Sequence, residues 1–181
     1  MIKGEKVIKL CEEIGVSNVG LISTADVVFE PELIKLCEAN ACGRYGAVYT
    51  CPPHVGETEK LIETLKKFKT AVIWQNISPL EDSYDFEGMM EAQEGHVEMT
   101  QEIAQTLYDE FGRENIIVLS AGGCSVCEEC AVLTNVPCRF PGKALASLEA
   151  YGINVSKLAE IAGMKYINGV NTVTYFSGAF F

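Results

Sequence analysis

Three cysteines at consecutive two-residue gaps, Cys124-x2-Cys127-x2-Cys130, limit this chain more than any other feature. Side chains so spaced sit on a tight turn rather than along a strand, and all three can point inward at one cubane-sized object. A fourth cysteine follows seven residues later in Val136-Pro137-Cys138-Arg139-Phe140-Pro141. A short C-x2-C-x2-C run with a further cysteine beside proline is a thiolate arrangement of 4Fe–4S clusters. Structural zinc more often uses two separate C-x2-C knuckles, and it stands as the alternative metal. Gly122-Gly123, just before the run, lets backbone approach closely and offers N–H groups to the sulfurs.

A second set lies upstream: Cys37-x4-Cys42-x8-Cys51, ending in Cys51-Pro52-Pro53-His54. Proline directly after a ligand fixes the chain direction. Gly43, Gly46, Tyr45 and Tyr49 around Arg44 read as a shaped loop. Three thiols leave one iron of a second cluster open, unless His54 or another group fills it. Arg44, Tyr49, His54 and Arg139 are therefore candidates to surround the metal or to orient a ligand. The eighth cysteine, Cys11, falls on an apolar helix face with Val7 and Ile14 and is expected in the core. His96, on an acidic helix, is expected in solvent.

The chain has 181 residues, 48% hydrophobic and 22% charged, which bounds it to one folded domain over 1–181 rather than a disordered chain. No apolar stretch is long enough to span a bilayer and no apolar leader follows the first lysines, so a soluble cytoplasmic protein with reduced thiols is expected. The net charge of −11 and the lack of a basic stripe argue against nucleic acid. Ten acids and no Lys or Arg lie between Thr70 and Gly112. Segment 81–110 is thus either a solvated helix face or a docking surface for a basic redox partner. No P-loop, G-x-G-x-x-G or H-E-x-x-H occurs, so nucleotide binding and zinc-protease chemistry have no support.

Periodicity predicts helices over 3–14, 31–38, 57–69, 91–111, 143–151 and 156–162, and strands over 18–23, 70–77, 115–120 and 172–177. Residues 76–88 are the expected long loop. The alternation implies an α/β (α+β sandwich) fold: one mixed sheet of about four strands flanked by helices, with the cysteines in loops.

The stretches Cys42-Gly43-Arg44-Tyr45-Gly46 to Cys51-Pro52-Pro53 and Gly122-Gly123-Cys124-x2-Cys127-x2-Cys130 to Pro137-Cys138-Arg139-Phe140-Pro141, running on to Ala146-Ser147-Leu148-Glu149-Ala150-Tyr151-Gly152-Ile153, resemble a widespread family of predicted metal-binding proteins. A glycine pair stands before Cys124 where that family has Gly-Pro. The resemblance implies metal binding, iron–sulfur clusters foremost, in mainly anaerobic prokaryotes, and it implies no particular reaction. The expected function is electron transfer or cluster-dependent reductive chemistry. One cluster would sit on Cys124, Cys127, Cys130 and Cys138, with a second on Cys37, Cys42 and Cys51. The alternatives are an enzyme using the open iron on a sulfur or small-molecule substrate, and a zinc-stapled module without redox function.

Overall fold

A computed structural model describes residues 2–181. Its helices are α1 (Gly4–Ile14), α2 (Ile34–Glu38), α3 (Thr58–Leu65), α4 (Phe86–Phe111) and α5 (Val155–Ile161); its strands are β1 (Asn18–Ser23), β2 (Thr70–Pro79), β3 (Ile117–Leu119) and β4 (Thr172–Phe180). The strands form one sheet in the order β1-β2-β4-β3, an α+β arrangement.

All three strand pairings are antiparallel, whereas the helix–strand alternation implied a mixed sheet. The reason is the last strand. The crossover through α4 does join two strands of the same direction, β2 and β3, but β4 inserts between them and pairs antiparallel with both. Parallel pairing survives as one isolated bridge, Ser120 to Ser147, just past β3.

Helices cover both faces of the sheet, which is why β2 opens on the unbroken apolar run Ala71–Trp74. Ala71 and Ile73 point into a core with Leu65, Leu158 and Phe180, while Val72 and Trp74 point into another with Val7, Ile103 and Leu107. Alternation with period two sends neighbouring residues to opposite faces, so a strand covered on both sides needs no polar face. Cys11 is fully buried in the second core, as its helix face required.

Several boundaries differ from the periodic reading. The longest helix starts at Phe86, because Asp85 caps it by accepting the Gly88 N–H at 2.9 Å. With β2 running to Pro79, the long loop shrinks to the few residues between Pro79 and Phe86. The expected helix over 143–151 is only a 3-10 turn, Glu149–Tyr151. The Ser120 N–H donates to the Ala146 carbonyl and the Leu148 N–H to the Ser120 carbonyl, holding the chain extended beside β3.

His96 is not in solvent. It is 1% exposed and lies on the stripe of α4 that includes Thr100, Ile103, Ala104 and Leu107. Its Nδ1 pairs with Asn76 Oδ1 and its Nε2 with Ser177 Oγ, both at 2.7 Å, so two sheet residues satisfy the ring. The acidic composition of the helix concealed a polar position that faces inward.

Candidate metal centre

Both cysteine sets sit at one side of the fold, and the chain reaches it by two routes. From β3 it runs through Ser120 and Ala121 into Gly122-Gly123-Cys124. From α2, which carries Cys37, it turns through Cys42 and the Arg44–Tyr49 loop to Cys51. That loop is pinned by its own backbone: the Gly46 N–H donates to the Pro52 carbonyl at 2.9 Å and the Cys51 N–H to the Val48 carbonyl at 3.2 Å.

Cys124, Cys127, Cys130 and Cys138 wall one pocket, together with Tyr49, Thr50, Val126 and Arg139. Burial raises the Cys124 thiol above its ordinary pKa; the backbone N–H of Val126 opposes this, and the neighbouring Cys138, Cys130 and Cys127 add to it. A backbone N–H aimed at sulfur favours the thiolate that a metal needs. The loop is not without apolar anchors, since Ala131 and Val132 are buried on a 3-10 turn between the ligand candidates. Arg139 braces the loop internally, donating from Nη1 to the Glu129 carbonyl at 2.9 Å.

Cys37, Cys42 and Cys51 form the other group. Burial pushes the Cys51 thiol up to about 11, with Cys42 and Cys37 adding to the rise, while Thr50 and Arg44 pull the other way. Cys37 is raised by burial first, then by Cys42 and Glu149. His54, a candidate to fill the open position or to surround the metal, meets Tyr49 edge-on at 6.0 Å and lines a separate cleft. Among the described residues no three His, Cys, Asp or Glu side chains close on a single metal-ion position. Cys124, Cys127, Cys130 and Cys138 are spread around the walls of one pocket, whereas Cys37, Cys42 and Cys51 are a more open group with Cys42 exposed; the donor chemistry is sulfur throughout, which suits iron–sulfur or zinc.

The two groups touch. The Thr50 hydroxyl accepts the Cys124 N–H at 3.1 Å and also bonds the Cys51 thiol. A side chain on Gly123 would stand 3.1 Å from Cys51 Sγ and 3.0 Å from Arg44 Cγ, so glycine is favoured there by close approach rather than by backbone angle. Gly122 differs: at φ +71° it occupies the left-handed region. Tyr49 ties the loops again, donating from its hydroxyl to the Val136 carbonyl at 2.7 Å.

Charge follows the same geography. The chain has only three arginines, Arg44, Arg113 and Arg139. Arg44 packs on Gly123, Arg139 holds the Cys130–Cys138 loop, and Arg113 donates to the Pro141 carbonyl at 3.3 Å and to that of Gly142. The salt bridges among the described residues all use lysine, so none of the three arginines is neutralised by a carboxylate. Lys143, also adjacent in sequence, lies instead along α4. Arg113 lies outside the motif stretches and escapes a sequence reading; Thr50 and Glu149 lie inside those stretches, but nothing in the spacing singles them out.

None of the curated proteins matches the chain. Among solved structures, the crystal structure of selenomethionine-labelled epoxyqueuosine reductase is similar at 15% identity with a TM-score of 0.40, over 97% of this chain and 44% of that one. The chain thus spans less than half the length of that protein. No helix among the described residues is long and apolar enough to cross a membrane. The model of a family described as predicted metal-binding proteins, DUF2284, matches residues 20–181, and the chain belongs to that family.

Proposed function

We propose that this is an iron–sulfur protein of the cytoplasm acting in electron transfer or cluster-dependent reduction. Cys124, Cys127, Cys130 and Cys138 would hold a 4Fe–4S cluster, and Cys37, Cys42 and Cys51 a second one beside it. The observation that carries this reading is that four thiols line one pocket and Cys51 of the other three approaches the Gly123 backbone beside it, with Arg44 and Arg139 at the junction and no carboxylate paired to either among the described residues. Four thiolates around a cluster leave net negative charge, and unpaired guanidinium groups offset it. A bound cluster supplies one-electron chemistry. The protein's own residues do the rest: Val126 directs an N–H at Cys124, Arg44 favours the Cys51 thiolate, and Thr50 couples the two loops.

Electrons need a donor. Helix α4 passes close to the cysteine loop, with Gln93, on the same side as the buried His96 and Thr100, against Gly122, and a basic redox protein docking on the acidic residues of this helix would approach that loop. The position of His54 favours the open-iron variant of this function, because it leaves the three-cysteine set without a nitrogen ligand.

Anaerobic iron and acid-labile sulfide analysis with EPR tests the proposal. One cluster gives about four irons per chain and two give about eight. Colourless protein with stoichiometric zinc would replace it with the zinc-stapled module.

A further inference from the structure

We infer that the cleft beside the cysteine loops binds a small aromatic or unsaturated carboxylate, gripped by Tyr108, Tyr151 and Arg113. The cleft measures about 310 Å³ and opens along the outer edge of β3, between residues 116–119 and the extended segment 144–146. That volume lies at the small end of ligand sites. Its wall carries no carboxylate side chain, although the chain has 25 Asp and Glu.

Arg113 supplies the charge. Its guanidinium stacks 4.1 Å over the Tyr108 ring and is fixed by two backbone carbonyls, Pro141 and Gly142, neither of which cancels a positive charge. Two phenols on the same wall supply O–H groups. The Tyr108 oxygen accepts the Val118 N–H at 3.3 Å, which leaves its own proton to donate, and the Tyr151 hydroxyl has no protein partner among the described residues. Burial raises both phenols above their ordinary range, and the proximity of Tyr108 raises Tyr151 further, so both remain protonated. A fixed cation with two neutral O–H donors is an oxyanion receptor. The aromatic walls, Tyr49 included, favour a flat apolar body behind the carboxylate.

The cleft is also placed to matter. Tyr49, Thr50 and Ala144 wall both it and the four-cysteine pocket. These shared residues put a molecule bound there next to the four-cysteine pocket, so the cleft gives the proposed redox centre a substrate class; the binding itself does not depend on which metal the cysteines hold.

Benzoate is the probe, titrated calorimetrically into full-length, anaerobically prepared, metal-loaded protein. Benzamide provides the same shape without charge, and inorganic phosphate the charge without a ring. Saturable one-to-one benzoate binding is expected, with both controls at least about tenfold weaker. Tyr151→Phe, which keeps the ring, should weaken benzoate about tenfold, the value of one charge-assisted hydrogen bond, without moving the melting temperature. No saturable benzoate binding, benzamide or phosphate binding as tightly, or an unchanged affinity in Tyr151→Phe would overturn the assignment. Iron content measured on the same samples is a separate readout, so colourless protein that binds benzoate refutes the cluster and keeps the cleft.

Discussion

Gly123→Ala isolates the contact between the two cysteine groups. The added methyl would stand 3.0 Å from Arg44 Cγ, 3.1 Å from Cys51 Sγ and 3.2 Å from Arg44 Cβ, a few tenths of an ångström closer than packed side chains accept. Something must move. The Arg44 stem is exposed and can swing. Cys51 cannot swing as freely: its N–H donates to Val48, its carbonyl accepts from Val55 at 3.1 Å, and Thr50 holds its thiol while bonding Cys124. Overpacking costs about 1–3 kcal/mol, and the mobile arginine places this case near 1 kcal/mol. For a chain of this length that lowers Tm by about 2–4 °C. The displaced sulfur should alter the EPR signal of the three-cysteine site far more than that of the four-cysteine site. Gly122→Ala is the control. Its φ of +71° makes alanine cost about 1–2 kcal/mol in backbone strain, yet its methyl meets only the tip of the flexible Gln93. Calorimetry and EPR on both variants should therefore show two destabilised proteins but one perturbed site. Parent-like Tm and signals in Gly123→Ala, or equal perturbation of the three-cysteine site by Gly122→Ala, would refute the contact argument.

Three further outcomes follow from the same geometry. Cys127→Ser should strip most iron from the four-cysteine site and lower Tm, since metal binding there is part of the folding energy; full iron content at an unchanged Tm would exclude Cys127 as a ligand. Cys11, buried with its thiol pushed up to about 12, should resist alkylation in the folded protein, and Cys11→Ser should keep all iron while losing stability; native labelling of Cys11 would contradict its placement. His96 is held at a pKa of about 4 by burial, below its ordinary 6.5, so the unfolded chain takes the proton first as pH falls. Stability should then drop by about 2 kcal/mol between pH 7 and pH 5, and urea melts of His96→Gln should lack that component; identical pH slopes in parent and variant would refute it.

The residue types at the candidate centre were legible from the chain alone, because thiol spacing is a local property. Cys124-x2-Cys127-x2-Cys130 puts its side chains on one turn whatever surrounds it, and Cys11 shares its helix face with Val7 and Ile14 wherever the helix docks. Helix and strand positions followed for the same reason, from periods of 3.6 and 2 within single segments. What could not be read locally was everything that depends on partners distant in sequence. β4 enters between β2 and β3 from the far end of the chain and makes the sheet antiparallel. Asn76 and Ser177, 20 and 81 residues from His96, turn a histidine on an acidic helix into a buried one. Ser120 draws residues 146–148 out of a helix. Thr50 reaches Cys124 across 74 residues, and Arg113 reaches Pro141 across 28. Local chemistry sets which side chains can bind metal; the closure of these long loops sets which of them meet, and whether His54 faces the sulfurs or the cleft.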